Sequence, residues 1–159
     1  MDELRVPKRS VPAELQLEGQ ATRTLAVYLS DIASSHAGTE RLSDLLETAQ
    51  AFLPAQDPHS GEPVFVHLQR LVWARVPALL EYEELHSSCA ASVHAVQLTL
   101  SDGSRLRGSV RYLLPPGAAR LTDYLNGPQR FVHLHTADEQ LLLVHKRYLI
   151  EVNVLPQQP

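Results

Sequence analysis

Apolar and polar residues alternate in short runs along this chain, and turn-forming residues separate the runs. Residues Val96 to Leu100 alternate, the pair Asp102-Gly103 follows as a tight hairpin turn, and residues 105–113 continue as a second strand. Gly108 lies inside that second strand, where the pattern predicts a bend or a bulge. The second half of the chain is therefore predicted to consist of short β-strands.

One helical turn and three further strands are predicted after this hairpin. Residues 115–117 (Pro-Pro-Gly) end the second strand, and the apolar residues within 120–126 indicate a single helical turn with one buried side. Residues 146–148 (Lys-Arg-Tyr) are too few for a hairpin loop, so we predict a kinked turn that leads directly from the fourth strand to the fifth. The three strands are expected at Phe131 to His135, Leu141 to His145 and Leu149 to Leu155.

The first half of the chain repeats this pattern. Residues 41–52 and 120–131 align without a gap and are identical at six of twelve positions, with Arg41/Arg120, Asp44/Asp123 and Phe52/Phe131 among the matches. Weaker matches precede this block, near residues 14–17 and 96–98, and follow it, near residues 66–76 and 144–154. Because the matches keep one order in three separate blocks, we interpret the chain as an internal duplication.

The expected fold class is mainly β, with two duplicated five-stranded modules that each contain a short helical turn. Five short strands, a bent second strand and a tight kink before the fifth are typical of a small, strongly curved barrel. The predicted organisation is an N-terminal arm (1–10), module copy 1 (11–77), a linker with room for a short helix (78–92), module copy 2 (93–156) and a tail (157–159).

The second copy resembles the Sm/Lsm family, including its bacterial branch, the host-factor RNA chaperone. The resemblance lies in residues 96–110, where a strand, an acidic-glycine turn, a second strand and a glycine follow one another. It also lies in residues 144–152, which are similar to the bacterial kink between the last two strands. The recurring Arg-Leu-Ser/Thr-Asp motif resembles an uncharacterised bacterial family of small β proteins. The resemblance implies two Sm-like barrels in tandem.

The chain departs from the Sm pattern at the positions that matter for RNA. The family takes its RNA-contacting Asp and Asn from the loop after the second strand, which implies Asp123 and Asn126 as candidates, but a proline-rich insertion and a helical turn intervene here. The eukaryotic Arg-Gly pair at the last kink is replaced by Lys146 and Arg147. In the first copy Glu47 stands where the second has Asn126, and a carboxylate there would repel phosphate.

A weaker resemblance concerns the N-terminal arm, which is similar to the entry of a PilZ domain. Arg5 and Arg9 have the Arg-x-x-x-Arg spacing with which that family holds cyclic di-GMP, and two guanidinium groups can bind phosphate and stack on guanine. The second PilZ motif is not matched, because residues 31–38 lack its spacing. A solvated basic arm is the alternative interpretation.

Composition narrows the class of protein. The chain has 159 residues, 44% of them hydrophobic, and a net charge of −4, which fits a folded domain or two very small ones. Residues 1–92 carry 7 Lys/Arg against 13 Asp/Glu, whereas residues 93–159 carry 7 against 5. The second half is only mildly basic, which argues against nonspecific nucleic-acid binding. The single cysteine, Cys89, and the polar first residues lead us to expect a cytoplasmic protein without membrane insertion.

The sequence contains no constellation that indicates catalysis, so we expect a protein that is not an enzyme and has no cofactor. A nucleophile elbow and a phosphate-binding loop are both missing from the sequence. His133, His135 and His145 form a candidate zinc cluster, but carboxylate or cysteine ligands at suitable spacing do not accompany them, and exposed histidines on a strand are the alternative. Asp44 and Asp123 recur in both copies, and a local salt bridge or turn-capping role with Arg41 and Arg120 is favoured over the alternative of a shared ligand contact.

Two functions remain open from the sequence. The leading hypothesis is a non-enzymatic protein-interaction or scaffolding module that binds a protein partner or associates with itself. The alternative is RNA, DNA or cyclic-dinucleotide binding through the basic second half or the N-terminal arm. Phe52, Phe65, Trp73 and Phe131 are expected in the core, and the rims of Tyr112, Tyr124 and Tyr148 are expected to form a contact surface. The candidate contact residues for a partner or a nucleic acid are Arg105, Arg107, Arg111, Asp123, Tyr124, Asn126, Lys146, Arg147 and Tyr148.

Overall fold

The described part of the protein is mainly β, with ten antiparallel strands and few helices. The structure is a computed structural model that describes residues 8–31, 33, 38–81, 92–113 and 120–156. The chain divides into two compact units, Met1–Val76 and Pro77–Pro159.

Unit 1 is a five-stranded antiparallel sheet with the strand order β5-β1-β2-β3-β4. Its strands follow the predicted alternation: in β2 every second residue is buried, as expected for a strand with one face on a core. The first strand begins at Lys8, inside the segment that the sequence predicts as an arm. The elements are β1 (Lys8–Leu17), β2 (Arg23–Ser30), α1 (Leu42–Thr48), β3 (Phe52–Gln56), β4 (Pro63–His67), the 3-10 turn η1 (Leu68–Arg70) and β5 (Leu71–Pro77).

Unit 2 has the equivalent strand order, β10-β6-β7-β8-β9. Its first hairpin closes as predicted at Asp102-Gly103: Gly103 has a φ of 88°, and the backbone N–H of Leu100 donates to Ser104 O at 2.9 Å. The elements are the 3-10 turn η2 (Ala78–Leu80), β6 (Ser92–Leu100), β7 (Arg105–Tyr112), α2 (Leu121–Leu125), β8 (Phe131–His135), β9 (Gln140–His145), the 3-10 turn η3 (Lys146–Tyr148) and β10 (Leu149–Val154).

The residue pairs that link the two halves of the sequence occupy equivalent positions in the two units. Arg41 and Arg120 are the N-cap residues of the two α-helices, and Asp44 and Asp123 are the third helical residues. Phe52 and Phe131 each begin the third strand, where they pair with His67 and His145 at the end of the fourth. The predicted kinks between the fourth and fifth strands are η1 and η3.

The two predicted barrels are not observed, because the described strands of each unit form an open sheet. Pairing of the outer strands into a closed cylinder is a long-range event that short alternating strands do not determine by themselves. The predicted bulge at Gly108 is also absent. The β6–β7 pairing runs from the pair Ser92/Tyr112 to the pair Thr99/Arg105 without a register shift. Gly108 instead allows the backbone of β8 to come close to β7.

The predicted aromatic core is half right. Trp73 and Phe131 are buried, but Phe52 is 56% exposed and Phe65 is 66% exposed, so both lie on the surface of the β3–β4 hairpin. The tyrosines show the opposite error. Tyr112 and Tyr148 were predicted to form an exposed contact surface, but both are buried. Alternation identifies the two faces of a strand, but the elements packed against each face decide which one is buried.

Candidate functional surfaces

Three of the predicted contact residues form one row on the outward face of β7, the arginine row (Arg105, Arg107 and Arg111). Successive side chains of a strand point to opposite faces, and the alternate residues Val110 and Tyr112 are buried in the core. The three arginines, at odd-numbered positions, are all exposed. The alternation of β7 therefore brings together a set of cations that is spread over seven residues of sequence.

The neighbouring strands hold parts of this row in place. Arg107 lies opposite Gln97 on β6, and its Nε donates to Gln97 Oε1 at 2.9 Å. Arg105 lies opposite Thr99, which in turn pairs with Glu151 on β10. The Glu151 carboxylate accepts a hydrogen bond from Asn153 Nδ2 at 2.7 Å. On the β6 side the row is thus flanked by polar side chains, whereas Arg111 lines a cleft together with Asp138 and Glu139.

Asp123 makes contacts inside its own helix. Its Oδ2 accepts hydrogen bonds from the backbone N–H and from Nε of Arg120, at 3.3 and 3.2 Å. In unit 1 Asp44 makes the same two contacts with Arg41, at 2.9 and 3.2 Å, and a third at 3.1 Å to Nη2. The capping interpretation of the recurring Arg–Asp pairs is confirmed.

Tyr124 belongs to a stack of three rings at the α2 end of unit 2. Its ring lies parallel to that of Tyr112 with 5.1 Å between centroids, and Tyr112 stacks on His94 at 5.8 Å. His94 Nε2 and Tyr112 Oη are 3.1 Å apart, and Tyr124 Oη accepts the backbone N–H of His133 at 3.2 Å. These contacts make Tyr124 a packing residue that ties α2 to β7 and β8.

The remaining predicted contacts cluster where η3 meets the end of α2. Lys146 Nζ donates to Gly127 O at 3.0 Å, one residue after Asn126, the exposed C-cap of α2. Arg147 is exposed, with its guanidinium carbon 6.0 Å from the centroid of the buried Tyr148 ring. The nine predicted residues thus fall on two places, the arginine row and this α2–η3 region.

The three histidines of the candidate metal cluster have different surroundings. His133 and His135 are half-buried on β8, whereas His145 is buried between Phe131, at 4.8 Å, and Tyr148, at 5.7 Å. Among the described residues no group of three His, Cys, Asp or Glu side chains could hold a metal ion. His145 is a packing residue in the aromatic end of the core.

A cleft of about 800 Å³ lies beside His135 in unit 2. Its wall includes η2, the β8–β9 turn and Arg111, and the turn is joined to η2 by a hydrogen bond from Ala78 N–H to Glu139 O at 2.9 Å. Burial, with a smaller contribution from the Arg111 charge, lowers the pKa of His135 below its usual value of 6.5. The neutral imidazole is therefore favoured in the folded protein.

The outer strands expose apolar side chains, of which the sequence did not single out Ile150 and Val154 and placed Phe65 in the core. β10 is the first strand in the order of unit 2, and there Ile150 is 65% and Val154 60% exposed. A register shift between Leu149 and Glu151 makes Ile150 a bulged residue. β4 is the last strand in the order of unit 1, with Phe65 beside a groove of about 460 Å³. Alternation predicts that all these residues belong to strands, but it does not predict which strands are outermost in a sheet.

The arm that resembles a PilZ entry is only partly described. Arg9 lies in β1, where its Nη2 donates to Glu40 O at 2.9 Å, while Arg5 lies outside the described residues. In the part of the chain that the structure describes, no helix is long and apolar enough to cross a membrane. No family model matches the chain, and no curated protein or solved structure is significantly similar to it.

Proposed function

We propose that this chain is a non-enzymatic protein-interaction module, made of two Sm-like five-stranded units that arose by duplication, which binds its partner or a second copy through the outer strands β4 and β10. The observation that carries the proposal is the exposure of Ile150 and Val154 on β10, at 65% and 60%. Apolar side chains on an outer strand favour pairing with another chain, because the strand also offers unpaired backbone groups.

The equivalent strand orders and the equivalent Arg–Asp caps support a duplicated origin for the two units. A module of about 65 residues buries only about 60% of the surface that its unfolded chain exposes, so one unit alone has a small core. Docking an outer strand against another chain adds backbone hydrogen bonds and covers apolar surface. The bulge at Ile150 confines regular pairing to residues 151–154 of β10.

The exposed side chains of β10 fit the groove beside β4. Phe65 on β4 is 66% exposed and borders the groove, whose wall also contains Leu17 and Arg70. An incoming strand with the pattern of β10 would present an apolar side chain and a carboxylate, Glu151, to such a groove. A second copy of the chain is therefore one natural partner, in addition to an unrelated protein with an exposed strand.

Light scattering coupled to size exclusion, over a concentration series, tests this proposal. We expect the mass of the wild-type protein to rise with concentration and Val154→Lys or Phe65→Lys to remain monomeric. Leu79→Lys is the matched control, because Leu79 is also exposed, at 82%, but lies in the 3-10 turn η2 and not on an outer strand. A wild-type protein that is strictly monomeric and recovers no partner protein from a lysate would contradict the proposal.

Nucleic-acid binding, the alternative function, has less support. The arginine row is the observation in its favour, and the net charge of −4 opposes the approach of a long polyanion. Binding of the full chain to a mixed RNA or DNA pool at low and at high salt tests this alternative, which predicts affinity that falls about tenfold or more as salt rises.

A further inference from the structure

The outward face of the β3–β4 hairpin in unit 1 is aromatic and exposed. Phe52 lies opposite His67 and Pro54 lies opposite Phe65, so these four side chains share one face of the two strands. Phe52 and Phe65 are 56% and 66% exposed, and the rings of Phe52 and His67 meet edge to face with 4.8 Å between centroids. A contiguous apolar patch marks an interaction site, whereas exposed apolar residues scattered singly are ordinary.

The equivalent positions of unit 2 show how such a pair of rings is covered. Phe131 and His145 pair at the same places in their strands, with the same 4.8 Å between ring centroids, but they are only 2% and 7% exposed. A third ring, that of Tyr148, lies 5.7 Å from His145 and is itself buried. Tyr148 is the last residue of η3. In unit 2 a ring from the chain itself thus extends the aromatic cluster.

Unit 1 has no ring at the position of Tyr148. The last residue of η1 is Arg70, whose Nη1 lies 2.7 Å from Glu18 Oε2 in an exposed ion pair. Both residues line the groove of about 460 Å³, together with Phe65 and His67, and this volume lies within the size range of ligand pockets. The aromatic pair of unit 1 therefore lacks a ring where its counterpart has one, and the groove beside it has room for one.

The open edge of β4 determines how another chain can supply that ring. β4 is the last strand in the order of unit 1, and among the described strands it pairs with β3 alone. A strand added to this edge would place alternate side chains beside Phe65 and His67 on the same face, with about 4.5–5.5 Å between Cβ atoms. Aromatic rings attract each other beyond the area that they bury, so aromatic side chains fit these places better than aliphatic ones.

Charge and composition indicate that this segment belongs to a different protein. Residues 1–92 carry 7 Lys/Arg against 13 Asp/Glu, which favours a segment with basic residues beside its rings. The same charge opposes a nucleic acid that would stack its bases on the two phenylalanines. A second copy is less suitable, because its outer strand β10 carries Ile150 and Val154 and no aromatic residue.

We propose that β4 of unit 1 accepts an extended segment of a partner protein as an added strand, with aromatic side chains at alternate positions and basic residues beside them. The inference rests on the proposed function, because it names the chemistry of the partner that β4 binds. It concerns β4 alone, so self-association through β10 can fail while this inference stands, and the reverse also holds.

Fluorescence anisotropy with the full chain tests the inference. The probe is a labelled peptide of about ten residues in which Tyr alternates with Thr between flanking lysines, and the matched peptide has Val in place of Tyr. We expect the tyrosine peptide to bind at least about tenfold more tightly than the valine peptide. Phe65→Ser should weaken its binding by about tenfold or more, whereas Ile150→Ser, at a similarly exposed residue of β10, should change it by less than about twofold.

A second pair of variants tests the comparison with Tyr148. Arg70→Tyr provides a ring from the chain itself at the last position of η1, and we expect it to weaken binding of the tyrosine peptide by about fivefold or more because the ring fills the groove. Arg70→Gln removes the same charge and the ion pair with Glu18 without adding a ring, and should leave the affinity within about twofold of wild type.

Four results would overturn the inference. They are equal binding of the valine and tyrosine peptides, wild-type binding by Phe65→Ser or Arg70→Tyr, an equal loss in Arg70→Gln and Arg70→Tyr, and tighter binding of a thymidine oligonucleotide of similar length than of the tyrosine peptide. The last result would assign the aromatic face to nucleic acid. A wild-type protein that stays monomeric but binds the tyrosine peptide supports the inference and contradicts self-association alone.

Discussion

A Cβ atom on Gly108 would lie 2.3 Å from the backbone carbonyl oxygen of His135, and 2.9 Å from Leu134 Cγ. This contact arises where β8 pairs with β7 at Ser109 and His135. Gly108 is thus required by the close approach of two backbones. The carbonyl cannot rotate away as a flexible side chain would, so a larger residue must displace the strand.

We expect Gly108→Ala to lower the free energy of unfolding by about 1–3 kcal/mol, because the added methyl group forces β7 and β8 apart. Urea unfolding followed by circular dichroism measures the change. The control is Ser109→Ala at the next residue of β7, whose effect should stay within about 0.5 kcal/mol. A Gly108→Ala protein as stable as wild type would show that the strands can separate without cost.

The two helix caps should differ in strength although their residues are the same. Arg41 and Asp44 are mostly buried, with side chains 19% and 14% exposed, whereas Arg120 is 78% exposed. Asp44→Ala should therefore cost about 1–2 kcal/mol of unfolding free energy, and Asp123→Ala about 0.5 kcal/mol, since solvent screens the more exposed pair. Parallel urea titrations compare the two variants. Equal losses, or a larger loss at Asp123, would contradict this ranking.

The contribution of Tyr124 can be divided between its hydroxyl and its ring. Tyr124→Phe removes the acceptor for the His133 N–H and should cost about 1 kcal/mol, while the stack on Tyr112 is retained. Tyr124→Ala removes both and should cost about 3 kcal/mol or more. Thermal unfolding of both variants gives the comparison. If the two substitutions cost the same, the ring stack does not stabilise the unit.

His135 should make stability fall as the solution is acidified. Its folded pKa lies below its usual value of 6.5, so the unfolded chain binds the proton more readily. The stability that this histidine contributes is complete above about pH 6.5 and is lost as the pH falls toward the folded pKa. We expect His135→Gln to reduce the slope of unfolding free energy between about pH 8 and pH 5. An unchanged slope would show that other groups control the acid response.

The strand boundaries of unit 2 could be predicted because they depend on local signals. The alternation after Val96, the Asp102-Gly103 turn and the short kink at Lys146 each restrict the backbone within a few residues, whereas β6 begins at Ser92, before the predicted start at Val96. The arginine row follows from the same rule, since odd-numbered positions of one strand share a face. The Arg–Asp caps are also local, because both partners belong to one helical turn.

What the local pattern left open is which faces are covered. Phe52 and Phe131 occupy aligned positions and pair with equivalent histidines, yet one is 56% and the other 2% exposed. Strand alternation by itself therefore determined the strands and their two faces. Only the tertiary structure decided the burial of each phenylalanine, the open sheet and the contact between Gly108 and His135, because these depend on elements that are distant in sequence and pack against each face.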